Sequence, residues 1–369
     1  MIHPQSLSGL AYEERGTLGD LRRSMNLGTL LIRADASLAI GIGHVMRCLA
    51  LAQAWQDAGG TVCFAAAEVP DALSSRLIAE GISLTRIHAN PGGPEDAGVT
   101  VAQARQLEAG WVVIDGDRFG SDFLETVRGA GFCVLLIDDF AAREFFPVDL
   151  IVNPNLDDDE EPYRKRGATA RLLMGPSYVL LRREFRERST KREIRQAGNR
   201  VLVTLGGSDP ENLTPKIADA LAYCSELEVT LVAGAANDKA NELQKLNTNN
   251  VRVVFNPPNM AQVMRDSDQA IIAAGGTLWE LLAMGCAVLS YSRNVVQTRV
   301  AQALSERGVL VDMGETRYFD KGTLTLSVKE MVDSHVRREH MTNLAQTLVD
   351  GWGTKRVVAA AATLCHKRV

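Results

Sequence analysis

The stretch LLIRADASLAIGIGHVMRCLALAQAW, Leu30 to Trp55, sets one imidazole, His44, directly after Gly41-Ile42-Gly43 and directly before a run with helical spacing. Imidazole is the side chain whose ordinary pKa lies nearest neutrality, so it is the natural general base. Glycines permit a tight turn and a close backbone approach to a ligand. The free N–H groups of a helix's first turn point into the same space and favour anionic groups. The same partial positive charge disfavours imidazolium, so His44 is expected to be neutral and able to take a proton. A histidine that only caps the helix fits the spacing equally well.

Two glycine turns recur later. In TLGGSDPENLT, Thr204 to Thr214, a strand runs into Gly206-Gly207, followed by Ser208 and Asp209, with Pro210 expected to open a helix. Backbone N–H groups there suit a phosphate, which makes Gly207, Ser208 and Asp209 binding candidates. No Gly-Lys-Ser/Thr follows, so it is not a Walker A loop. A capped turn without ligand fits as well. In AIIAAGGTLWELLAMGCAVLSY, Ala270 to Tyr291, a strand runs into Gly275-Gly276-Thr277 and a short helix carries Glu280. Glu280 can accept hydrogen bonds from a ribose or a base, with Gly276 and Thr277 lining the same turn and Gln297 closing the pocket. Taken alone, Thr277 and Glu280 favour a Thr-x-x-Glu capping box that needs no ligand. Asp115, Asp117, Asp138 and Asp139 end strands of the first half. They fit sugar hydroxyls, helix caps or a metal, with the metal the minority choice.

These residues need a scaffold. TLLIRA, TVCFAAA, WVVIDGD, CVLLIDDF and LIVNPN read as strands, and HVMRCLALAQAWQDAG and DALSSRLIAEG as helices closed by glycine. Near-continuous apolar runs suit parallel strands buried on both faces, and open α/β sheets bind ligands at the carboxyl ends of their strands. After the charged stretch LLRREFRERSTKREIRQAGNR, expected to be a solvated linker helix, the strands RVLVTLGG, EVTLVAG, VRVVF, QAIIAAGG and AVLSYS form a second series. The 369 residues therefore divide into a flexible extension (1–26), an α/β domain that holds His44 (27–178) and a second α/β domain (179–369). With 46% hydrophobic and 23% charged residues the chain can bury a core. Its net charge of -5 gives no general attraction to nucleic acid or anionic membranes. Six scattered cysteines without a Cys-x-x-Cys pair read as reduced thiols of a cytoplasmic protein, not a metal site.

The blocks IRADASLAIGIGHVMRCLALA, VVIDGDRFG, LLIDDF, GPSYVLLRREF, LGGSDPENLT and AAGGTLWELLAMG together resemble the hydrolases that remove UDP from UDP-2,4-diacetamido-2,4,6-trideoxy-β-L-altropyranose, before pseudaminic acid synthesis. The resemblance spans roughly residues 29–345, and its Gly-x-Gly-His-x-x-Arg block is the specific part. It implies the glycosyltransferase B architecture of MurG-type enzymes, two Rossmann-like domains facing a cleft. It implies His44 as the base, UDP on the second domain and the sugar in the cleft. It also implies inversion at the anomeric carbon and a free sugar passed to nonulosonic acid synthesis, for flagellin or a surface polysaccharide. Glu280 matches the residue holding uridine, and Gln297 the second member of an Asn-Gln pair whose first position is here Val296. Asp35, Gly41, Gly43, Asp115 and Tyr178 join the substrate-binding candidates within the matched blocks. The implied partners are a UDP-sugar and water, with no cofactor, metal, nucleic acid or membrane, and a monomeric chain. An inverting UDP-sugar glycosyltransferase on the same scaffold is the leading alternative.

Overall fold

The computed structural model describes residues 27–365 apart from 38–39, 156–158, 188–191, 207–208, 210 and 235–239. The expected extension over 1–26 and the candidates Gly207 and Ser208 lie outside the described residues.

The first sheet holds β1 (Thr29–Ala34), β2 (Thr61–Ala66), β3 (Ser83–Arg86), β4 (Ala109–Asp115), β5 (Cys133–Ile137), β6 (Leu150–Asn153) and β7 (Arg171–Met174). Their order is β3-β2-β1-β4-β5-β6-β7, all parallel. Side chains alternate across a strand, so β1 sends Leu30, Ile32 and Ala34 into one apolar cluster and Leu31 into the other. Both clusters must be roofed by helices, which is why the apolar runs are continuous rather than alternating. The second sheet repeats the plan with β8 (Arg200–Thr204), β9 (Glu228–Ala233), β10 (Val251–Phe255), β11 (Gln269–Ala273), β12 (Ala287–Ser292) and β13 (Val311–Glu315). Its order is β10-β9-β8-β11-β12-β13, again parallel. The strand order reverses between β1 and β4 and between β8 and β11. Such switch points open a crevice at the carboxyl edge. Among the described residues no helix is long and apolar enough to cross a membrane.

Three expectations change. The linker is not one continuous helix: its described part has a single turn, Arg183–Arg186, and residues 192–199 are irregular. Its charges are spent in pairs rather than on solvent, with Arg183 and Arg186 both on Asp57 at 2.8 and 2.9 Å. The helix after the first glycine turn of the second domain begins at Leu213, not at Pro210. Asp209 and Asn212 take left-handed backbone angles of +42° and +51°, so the chain turns once more before the helix starts. Finally, the helix Gly353–Cys365 does not stay with residues 179–349. Val357, Val358 and Ala360–Ala362 pack into the first domain's core beside the helix Gly43–Asp57. Its two buried valines alone are worth roughly 1.5–3 kcal/mol each there. The two segments that cross between domains are tied together, since Leu181 N–H donates to Thr354 Oγ1 at 2.9 Å and that hydroxyl donates back to Leu181 O at 3.2 Å.

Candidate active site

The helix Gly43–Asp57 starts beyond Gly41, whose φ of +77° a side chain would strain, while a Cβ on Gly43 would meet nothing within 4 Å. Among the described residues nothing fills the space beside Gly43. His44 does not cap the helix; Ile42 holds the cap position without a side-chain bond. Instead His44 reaches β4, where its Nδ1 lies 2.8 Å from Asp115 Oδ1. Residues three apart share a helix face, and Arg47 grips the same carboxylate at 2.6 and 2.7 Å and Asp139 at 2.8 Å through both oxygens. Asn155 Nδ2 donates to Asp139 at 3.1 Å.

This network sets the charges. Asp115 is fully buried, which by itself raises a carboxyl pKa, but Arg47 and then His44 reverse the effect and hold it far below the usual aspartate range. Asp115 is therefore ionised and can only accept, so Nδ1 of His44 carries a hydrogen and Nε2 keeps the lone pair. Arg47 Nη2, at 3.3 Å from Nδ1, is then a neighbouring charge, not a donor to that nitrogen. Burial lowers the His44 pKa, yet the charge and hydrogen bond of Asp115 outweigh burial and Arg47, and the net shift is upward. A helix end alone is expected to depress this pKa, but the carboxylate at 2.8 Å shifts it upward instead.

Asp35, at the end of β1, is also buried. Its Oδ1 accepts from Arg33 Nη1 at 2.7 Å and from the N–H groups of Ala67 and Glu68, while its Oδ2 is buried without a hydrogen-bond partner. Arg33 turns its other edge to Asp96 at 2.8 and 2.9 Å. The remaining strand-end acids divide. Asp138 binds Arg143, accepts from Tyr163 Oη and Ala141 N, and so braces the loop after β5; Asp117 is exposed. Among the described residues no group of three acids, histidines or cysteines is arranged to hold a metal.

In the second domain Gly275 caps the helix Gly276–Ala283 with no side-chain bond, so the Thr277–Glu280 capping box does not form. Glu280 accepts from Arg182 at 2.9 and 3.3 Å, across 98 residues of chain. Burial favours its neutral form and raises its pKa, with Arg182 opposing. No Cβ contact lies within 4 Å of Gly275 or Gly276, so the space at this turn is open too. The two side-chain oxygens of Asp209 accept from Leu213 N at 3.1 Å and Thr214 N at 2.9 Å, so its carboxylate serves the following helix. Gln297 Oε1 accepts from Arg293 N at 2.9 Å and braces the turn after β12. Tyr178 sits in the turn Pro176–Tyr178 at the crossover, packed on the first core. Arg182 and Arg293 were not singled out from sequence; their partners are set by the tertiary fold. The i, i+3 spacing of His44 and Arg47 was a signal on which Arg47 could have been chosen.

No family model matches the chain. It is 25% identical over 291 residues to the UDP-2,4-diacetamido-2,4,6-trideoxy-beta-L-altropyranose hydrolase of Campylobacter jejuni, covering 77% of this chain and 98% of that one. It is 24% identical over 241 residues to the spore coat polysaccharide biosynthesis protein SpsG of Bacillus subtilis, covering 64% and 71%. It spans 56% of the Methanocaldococcus jannaschii protein MJ1062, at 23% identity over 279 residues. Among solved structures, MurG of Acinetobacter baumannii superposes with a TM-score of 0.61 at 17% identity, covering 91% of this chain and 99% of that one. TcCGT1 in complex with UDP gives 0.65 at 11% identity, covering 92% and 99%. The chain has the glycosyltransferase B fold and resembles the UDP-diacetamido-sugar hydrolases. Its two Rossmann-like domains face a cleft.

Proposed function

We propose that the chain hydrolyses a UDP-linked 2,4-diacetamido-2,4,6-trideoxy sugar at its anomeric carbon, releasing UDP and the free sugar. The observation that carries this is the 2.8 Å contact between His44 Nδ1 and the buried Asp115. It fixes the tautomer that leaves Nε2 as the proton acceptor, the arrangement by which a carboxylate orients a general base. The similarity over nearly the whole length of the Campylobacter jejuni hydrolase supports the substrate class.

In this mechanism a water molecule in the cleft gives its proton to His44 Nε2 while its oxygen bonds to C1. The C1–O bond to the β-phosphate breaks on the opposite face, so the configuration inverts. As imidazolium forms, Asp115 faces it and stabilises its charge. UDP is a good leaving group, so one base suffices where glycosidases need a second carboxylic acid. Glu280 holds the uridine moiety, and the Gly275–Thr277 turn presents backbone N–H groups to the diphosphate. The test is a proton NMR time course with the UDP-sugar and no acceptor. UDP and the inverted free sugar should appear in equal amounts. UDP release only on adding an acceptor hydroxyl would mean a transferase, and intact UDP-sugar throughout would mean a binding protein.

A further inference from the structure

The strand ends of the second domain carry a cation that pairs with no carboxylate among the described residues. Arg293 directly follows β12, and its Nη2 donates to Leu205 O at 3.1 Å, just past β8. β11 lies between β12 and β8 in the sheet, so this bond links the carboxyl ends of two strands that flank the one leading into the Gly275-Gly276 turn. A Cβ on Gly206 would stand 3.3 Å from Nη2, so the turn with φ of +85° fits against the guanidinium. The backbone N–H of Arg293 is fixed by Gln297 Oε1, and Asn294 caps the helix Val295–Glu306 through Gln297 N. The cation is thus held from both ends.

Its chemistry is unfinished. Nε of Arg293 is buried with no hydrogen-bond partner among the described residues. Nor does any carboxylate among them pair with this guanidinium, whereas Arg47, Arg143 and Arg182 each meet at least one acid. A part-buried guanidinium without an anion is costly, and its planar donor fork matches phosphate oxygens. From these contacts we infer that Arg293 binds the diphosphate of the nucleotide, across the open Gly275-Gly276 turn, and neutralises the charge that gathers on the leaving oxygen. Arg293 thereby becomes a diphosphate-binding residue of the hydrolysis proposed above, on which this assignment rests.

Calorimetry with UDP and with uridine, on the wild-type chain and on Arg293→Ala and Arg293→Lys, separates the two claims. Arg293→Ala should weaken UDP by about 10- to 100-fold while uridine binds as before, and Arg293→Lys should fall between. Undiminished UDP affinity in Arg293→Ala overturns the assignment alone. Failure of the wild-type chain to bind UDP overturns the proposed function and the assignment with it. Phenylglyoxal labelling of the unmutated chain, read by mass spectrometry, does not depend on a variant folding. UDP but not uridine should protect Arg293, and equal labelling with either would overturn the assignment.

Discussion

Replacing Asp115 by Asn tests the acid–base reasoning most directly. The substitution keeps shape and removes one charge. Three consequences follow from the geometry. Asn can offer an N–H to Nδ1, which moves the ring hydrogen to Nε2 and removes the acceptor from the cleft. The imidazolium that forms during reaction loses the carboxylate at 2.8 Å. Arg47 loses its 2.6 Å bond to the oxygen replaced by the amide nitrogen, and keeps the other oxygen and Asp139. A wrong tautomer beside an intact base costs about 10⁴ in kcat in the serine-protease triad, and a range of about 10²–10⁴ is expected here, or roughly 3–5 kcal/mol of activation free energy. Breaking one side of a buried charge pair costs up to about 3–5 kcal/mol of stability, less here because Asp139 remains. Circular dichroism must therefore establish that the variant is folded. The assay is UDP release by coupled spectrophotometry across pH. The wild-type rate should rise with pH through an inflection above the ordinary histidine value, because the deprotonated ring is the active form and its pKa is raised. In the variant the residual rate should inflect lower, since the raising charge is gone while burial remains. Turnover within about threefold of wild type in a folded Asp115→Asn chain would refute the argument.

Other outcomes follow from the same contacts. His44→Ala should lose UDP release by at least about 10²-fold while calorimetry finds UDP binding near normal, because His44 is in the first domain and UDP is assigned to the second. Glu280→Gln should weaken uridine binding by about 1 kcal/mol or more and take the charge out of the 2.9 Å bond from Arg182, visible as a lower melting temperature without ligand. Gly353→Ala would set a Cβ 2.4 Å from Val179 O and 2.7 Å from its N, so differential scanning calorimetry should show a loss of about 1–3 kcal/mol. Dialysis against EDTA should leave UDP release unchanged, since Asp115 and Asp139 are both bound to Arg47.

The sequence carried the scaffold well where the signal was local. Buried runs such as Leu30–Ala34 and Val288–Ser290 have few options besides a parallel strand covered on both faces. Strands β3, β7 and β13 went unread because they are partly exposed edges without a long apolar run. The turn before His44 was legible, but its partner was not: Asp115 lies 71 residues away, and only the pairing of β1 with β4 brings the two together. That hidden contact inverted the expected direction of the His44 pKa shift. Glu280 shows the same limit from the other side, since its local pattern fits a capping box and only the crossover delivers Arg182 to it. The use of the Asp209 carboxylate was equally hidden, since a carboxylate before a helix suits a ligand or a cap, and here two backbone N–H groups take it.

The return of the helix Gly353–Cys365 to the first core bears on how the molecule is made. Its docking face on the helix Gly43–Asp57 waits for a segment translated some 300 residues later. During synthesis the leading half therefore emerges with an apolar groove still uncovered, and it cannot close until the trailing helix has left the ribosome. Maturation of the half that carries His44 is thus coupled to completion of the other, and a ribosome stalled before codon 353 would leave a nascent chain with its sticky groove open to chaperones.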